Sequence, residues 1–357
     1  MTNKKNKHIG IELLRIISML MVITLHLMLK GRFAESSNTV VNIEAWILVF
    51  LSSVAVNCYV LISGYFLSER QFKLYRVFNT YAQTWFYSVL TFVVLVLIHG
   101  IEFSKGELLK SLLPLSFNNY WFVTNYILLL FIAPIINIAI NHMDKKQMKY
   151  SLFVLAGFFC VLNTILTPLA VPFDGSGGFS LVWFIVLYFT GAYIKRFGLL
   201  KHKSRIYVLV YLGITCLCVG LHFICARFNI STIDMVLQNY NSVLMYAGSI
   251  CLFLAFLNLK MKENIFDKII LFIAPLSFAA YLIHESIGLK VYLWKVINLE
   301  TIPVNGVSFI GFTLAFVIGL FISCALVELI RKQLFKVLRL NKMLSLISEK
   351  IAEIFGN

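Results

Sequence analysis

Ten uninterrupted apolar runs, each long enough to cross a bilayer and separated by short polar loops, leave this chain almost no choice of solvent. They begin near Ile9, Glu44, Asn79, Tyr120, Tyr150, Ser180, Ile206, Ser242, Ile269 and Val304. Of the 357 residues 60% are hydrophobic and only 13% charged, which is about half the charged fraction of an ordinary soluble domain. A water-facing surface of normal polarity cannot be built from that composition. In lipid every backbone polar group must be satisfied within its own segment, and runs of this length do so as helices. The expected fold is therefore all-α: a polytopic membrane helical bundle of about ten transmembrane helices, forming a single membrane domain over residues 1–357.

The basic residues orient the bundle. With the N-terminus placed in the cytoplasm, 23 of the 31 lysines and arginines fall in the inner segments and seven in the outer ones, with Arg15 inside the first span. This is the bias the positive-inside rule requires, and it predicts that both termini are cytoplasmic. One missed or invented span would put Lys195 to Arg205 on the wrong side, so the pattern calls for an even number of crossings. Lys4, Lys5 and Lys7 before an apolar run resemble a signal peptide, but the run is long, contains Glu12 and Arg15 and lacks a small-residue cleavage site, which predicts a retained first helix. Residues 331–357 alternate Leu, Ile and Phe with Lys, Arg and Glu at helical spacing. An amphipathic helix on the inner leaflet and a plain extension of the last span both fit.

The net charge of +15 does not point to nucleic acid, because no motif for DNA or RNA and no soluble basic domain is present to carry it. The seven cysteines, Cys58, Cys160, Cys216, Cys218, Cys225, Cys251 and Cys324, lie in apolar stretches without metal-ligand spacing. They are expected to pack, and no metal is expected.

A charge in hydrocarbon costs a few kcal/mol or more, so ionisable residues within spans mark interiors and functional sites. The first span, IELLRIISMLMVITLHL, carries Glu12, Arg15 and His26. The eleven residues from Arg15 to His26 turn a helix by about three turns plus 20°, so both point the same way roughly 16 Å apart. A neutral imidazole can accept a hydroxyl proton near neutral pH, and an arginine holds anions. The competing reading lets Arg15 and Glu12 reach the interface while His26 bonds a neighbouring helix. In the ninth span, LSFAAYLIHE, the residues Ser277, Tyr281, His284 and Glu285 share a helical face. Asn57, Ser63 and Gly64 in NCYVLISGYF, and Asn118, Asn119, Trp121, Asn125 and Tyr126 in NNYWFVTNY, add polar groups that taken singly read as packing contacts.

Together these segments resemble the acyltransferase-3 family of membrane-bound acyltransferases, whose signature is an arginine and a histidine separated by ten residues in the first helix. Arg15 and His26 match it. The likeness continues through NCYVLISGYFL, YWFVTNYILLLFIAPIIN, VWFIVLYFTGAYIKRF and LSFAAYLIHE, in order. The resemblance implies transfer of an acyl group, most often acetyl from cytoplasmic acetyl-CoA, to a sugar hydroxyl of a surface or exported polysaccharide or a lipid-linked glycan. No cofactor is bound permanently, and acyl-CoA is the donor substrate. It implies His26 as general base or acyl relay, Arg15 as ligand of a donor phosphate or carbonyl, and Glu12 as the group that orients Arg15. Arg70, Lys73 and Arg76 resemble arginines that hold CoA phosphates, with inner-face anchoring as the alternative. Ser63, Gly64, Trp121, Asn125, Tyr281 and His284 are candidates for the substrate pore. No hydrophilic stretch matches the esterase-like domain of larger members, so the likeness is to the stand-alone type. The richness in Lys, Ile, Asn and Phe suggests an AT-rich bacterial genome.

Two rival readings use the same residues. A transporter or flippase would also bury Arg, Glu and His, but the chain shows no paired repeats or matched broken helices. A non-catalytic scaffold would use them for packing alone. The expected surroundings are membrane lipid, acyl-CoA and a glycan acceptor, in a multi-pass protein of the cell membrane.

Overall fold

The structure, a computed structural model, describes residues 9–117, 119–169, 171, 176–199, 202–259, 265–302 and 305–354. The chain is 82% helical, with no strand among the described residues. In chain order the helices are α1 (Ile9–Lys30), α2 (Thr39–Leu67), α3 (Leu74–Leu97), α4 (Lys105–Leu112), α5 (Trp121–His142), α6 (Lys145–Leu169), α7 (Leu181–Phe197), α8 (Ser204–Phe228), α9 (Ser231–Leu257), α10 (Ile265–His284), α11 (Ile287–Val296), α12 (Gly306–Val337) and α13 (Leu340–Ile354). This is an all-α polytopic bundle.

Nine of these helices, among the described residues, are long and apolar enough to cross a membrane: α1, α2, α3, α5, α6, α8, α9, α10 and α12. The tenth apolar run of the sequence folds as α7, which has 17 residues. Its length of about 26 Å falls at the short end for a bilayer crossing. It is also among the most enclosed helices, with Trp183, Phe184, Val186, Leu187 and Tyr188 fully buried. A tenth crossing by α7 is what the positive-inside pattern of the sequence calls for, since it keeps Lys203 and Arg205 on the inner side.

α1 is axial and touches α2, α9, α10 and α12. The most extensive helix pair is α2 with α7, and two glycines explain it. A Cβ at Gly64 would run into the backbone carbonyl of Tyr188, and one at Gly191 would meet the carbonyl of Leu61. Only hydrogen at both positions lets the backbones come this close. A buried Asn57 ties the same region together: its Nδ2 donates to the Tyr240 carbonyl at 2.8 Å, and Trp183 Nε1 donates to its Oδ1 at 3.0 Å. That bond holds α9 at its interruption, where Asn239 is extended between segments Ser231–Gln238 and Val243–Leu257.

α12 is pinned to α3 through the buried Glu328 carboxylate, which is paired with Arg331 within α12 and bonded by Tyr87 of α3. Arg331 donates from Nε and Nη2 to the two oxygens of Glu328, each at 2.7 Å, and the Tyr87 hydroxyl donates to Glu328 Oε2 at 2.5 Å. The helix ends just beyond, where Arg339 takes a left-handed φ of 54°. α13 then turns back and packs on α3. The segment that begins at Arg331 is therefore not a continuous extension: residues 331–337 belong to the last span, and a break precedes the tail.

Removing one partner of such a pair leaves an uncompensated buried charge, at a cost of about 3 kcal/mol or more. Glu328→Ala is accordingly expected to lower unfolding stability in mixed micelles by that amount. The double variant Glu328→Gln/Arg331→Met is expected to recover most of the loss, and a double variant as unstable as the single one contradicts this account.

Candidate functional site

α1 carries Glu12, Arg15, His26 and Lys30 along one helix, and its neighbours gather around that line. At one end Arg15 Nη1 lies 3.1 Å from Glu12 Oε2. The Tyr59 hydroxyl from α2 donates to the Arg15 carbonyl at 2.8 Å, which fixes α2 against α1 at this level. Ser63, one turn further along α2, donates to the Tyr59 carbonyl and lies 3.4 Å from the Tyr126 hydroxyl of α5.

At the other end a cluster forms that no local spacing announces. His26 Nδ1 lies 2.9 Å from His284 Nε2 and 3.2 Å from Glu285 Oε1, and Lys30 Nζ donates to both Glu285 oxygens at 2.5 Å. His284 is fully buried and donates from Nδ1 to the Ala280 carbonyl. That donation leaves Nε2 of a neutral His284 as an acceptor, so the hydrogen on His26 sits on Nδ1, shared between His284 and Glu285. The lone pair of His26 is then on Nε2. The sequence places Glu285 on the polar face of the ninth span without a role and does not single out Lys30, although each has a signal. Glu285 directly follows His284, and Lys30 lies four residues beyond His26 on the same face. Lys290, on α11 outside the spans, is held below the usual lysine range by burial first, with Glu285 opposing and Lys30 adding to the effect.

The two ends are joined by a series of four cavities with shared walls. The first is lined by Arg70, Lys73, Arg76 and Asn137. The second shares Leu67 and Arg70 with it and adds Glu12, Arg15, Ser63 and Tyr126. The third, about 260 Å³, keeps Arg15, Ser63 and Tyr126 and adds Ser277 and Pro275. The fourth is lined by His26 with Met19, Val22, Trp121, Tyr240 and Tyr281. Every candidate site residue named from the resemblance thus lines one of these cavities, with three exceptions. Gly64 is spent on the crossing of α2 with α7, because any side chain there would strike Tyr188. Asn125 turns its amide to the carbonyls of Trp121 and Phe179, at 3.0 and 3.2 Å. His284 stands behind His26 rather than on the cavity wall. Asn118 lies outside the described residues.

A scan against protein families finds a match over residues 8–328 to the acyltransferase domain of the acyltransferase-3 type. The chain belongs to the acyltransferase-3 family. It is an acyltransferase and a multi-pass membrane protein. No curated protein and no solved structure matches it.

In this acyltransferase His26, His284 and Glu285 also have the donor chemistry of a metal site, their ligand atoms lying within 4.8 Å of one another. The geometry argues for protons instead. Lys30 already covers both Glu285 oxygens, and a divalent cation there would sit against an ammonium group. With Nδ1 of His26 facing an acceptor pair, the cluster fixes the tautomer and stabilises an imidazolium once it forms, as a carboxylate does behind a catalytic histidine. Glu285→Gln keeps the shape but removes the charge. It is expected to reduce acyl transfer by at least about tenfold at unchanged membrane abundance, which in vitro rates normalised to purified enzyme will check.

Proposed function

We propose that this acyltransferase moves an acyl group, most often acetyl, from cytoplasmic acyl-CoA to a sugar hydroxyl of a surface or exported polysaccharide or a lipid-linked glycan beyond the opposite face of the cell membrane. The observation that carries the reading is the path just described: it begins among cations and ends at a histidine with a free Nε2. A thioester donor has an anionic head and a reactive tail, and the path has the matching polarity.

On this reading Arg70, Lys73 and Arg76 hold the donor phosphates, and Arg15, braced by Glu12, takes a further anionic group of the donor. Arg15 lines the second and third cavities, and about 16 Å of helix separates it from His26. That separation favours a donor phosphate over the reacting carbonyl as its ligand. His26 Nε2 removes the proton from the acceptor hydroxyl as its oxygen attacks the thioester carbonyl. The carbon–oxygen bond forms, the carbon–sulfur bond breaks, and the imidazolium returns the proton to the departing thiolate to give the free CoA thiol. His284 and Glu285 hold the imidazole and offset its positive charge during the step. Trp121, stacked on Tyr240 with ring centroids 5.9 Å apart, offers a face on which a sugar ring can lie.

The decisive experiment compares ester-linked acyl groups on surface polysaccharide in cells lacking the gene, complemented with the native gene, and complemented with His26→Ala at equal membrane abundance. Acylation is expected to vanish on deletion, return with the native gene and stay absent with His26→Ala, a loss of roughly 10²-fold or more. Unchanged acylation across all three, with whole glycan missing from the surface, would sink the reading and favour transport. Arg70→Ala and Arg76→Ala are expected to raise KM for acetyl-CoA several-fold with kcat nearly unchanged, as loss of uniform donor binding requires. Steady-state kinetics on membrane vesicles with the inner face outward measure this.

A further inference from the structure

The third and fourth cavities share three side chains, and each comes from a different helix: Tyr59 from α2, Phe122 from α5 and Phe278 from α10. On one side of these rings lie Arg15, Ser63 and Ser277, and on the other lies His26. If the reaction proposed above takes place at His26, the thioester end of the donor has to pass between them.

The three rings are held to different degrees. Tyr59 is anchored by its hydroxyl on the Arg15 carbonyl at 2.8 Å. Phe122 is buried and packed edge-on against both Tyr59 and Tyr281, with centroids 6.2 and 5.7 Å away. Phe278 stacks on Tyr281, three residues along its own helix, and is only partly buried. It follows the break at Pro275, where α10 changes to a 3₁₀ turn before helix resumes at Ser277. The cavity beyond the rings is lined by apolar and aromatic side chains with His26, and no lysine or arginine stands among them.

We propose that Tyr59, Phe122 and Phe278 form the aperture that selects the acyl group, admitting short uncharged acyls and rejecting both longer chains and a terminal carboxylate. The inference rests on the acyltransferase function proposed above and adds the donor class. On this proposal the rings leave room for a two-carbon acyl. Each further methylene has to displace one of them, and misfit of a single methylene in an apolar pocket changes rates by about tenfold or more. A succinyl group would carry its charge past three rings into a cavity without a cation, where nothing replaces its hydration.

The test uses inverted membrane vesicles from cells producing the full chain, supplied with acetyl-CoA, butyryl-CoA or succinyl-CoA. Ester-linked acyl groups are released from the polymer fraction by alkali and quantified. The native enzyme is expected to favour acetyl over butyryl by about a hundredfold and over succinyl by more. Phe278→Ala is expected to raise the butyryl-to-acetyl ratio at least about tenfold, Phe278→Leu to raise it less, and Phe278→Trp to lower it. The Leu and Trp variants preserve an apolar side chain and keep the test informative should the Ala variant fail to accumulate. A ratio unmoved in variants that still transfer acetyl overturns the aperture. Absence of transfer by the native chain with every donor would instead remove the acyltransfer reading of the path, and the aperture with it.

Discussion

An ionisable side chain in hydrocarbon must find a partner inside the protein, and α1 presents four of them on one helix. Everything around α1 answers that demand. Glu12 meets Arg15 at one end, and His284 and Glu285 meet His26 and Lys30 at the other. Because the partners at the His26 end come from the last turn of α10 and the residue after it, satisfying α1 also fixes where α10 must stand. The cavities between the two ends are what remains when α2, α5 and α10 pack their large aromatic side chains around a helix with polar groups at both ends and apolar ones between.

That arrangement separates two tasks that a soluble enzyme would place side by side. In the proposed reaction, the cations assigned to the donor are on one side of the apolar middle, and the histidine and carboxylate cluster assigned to proton transfer is on the other. The bond from Tyr87 to the Glu328 carboxylate and the crossing of α2 with α7 at Gly64 and Gly191 lie away from His26, yet they hold α3 and α2, the helices that bear Arg76 and Tyr59. Rigidity in those two places keeps distances along the path from drifting, which matters when reacting groups have to meet to within an ångström or less.

Much of this was legible in the chain itself. Lipid as solvent follows from the apolar runs, and the common face of Arg15 and His26 follows from the helical period alone. What local patterns could not supply is pairing across the chain: His26 and His284 are 258 residues apart, and only packing reveals their 2.9 Å contact. Tyr59, Phe122 and Phe278 look in sequence like ordinary core aromatics, since membership of a shared wall leaves no periodic trace. Gly64 misled for the opposite reason, because its place in a polar motif suggested substrate while its missing side chain serves close helix packing. The break after the last span was hidden too, since the left-handed residue there is Arg339 and not glycine or asparagine.

The same long-range contact has a consequence for synthesis. His26 and Lys30 enter the membrane early, but their partners leave the ribosome some 255 residues later, an interval of roughly ten to fifty seconds at ordinary translation rates. Through that interval the first helix carries an unmatched imidazole and ammonium, and no partial chain lacking α10 contains a complete proton-handling cluster. The four-residue cluster is complete only when the final third of the bundle closes against the helix that was inserted first.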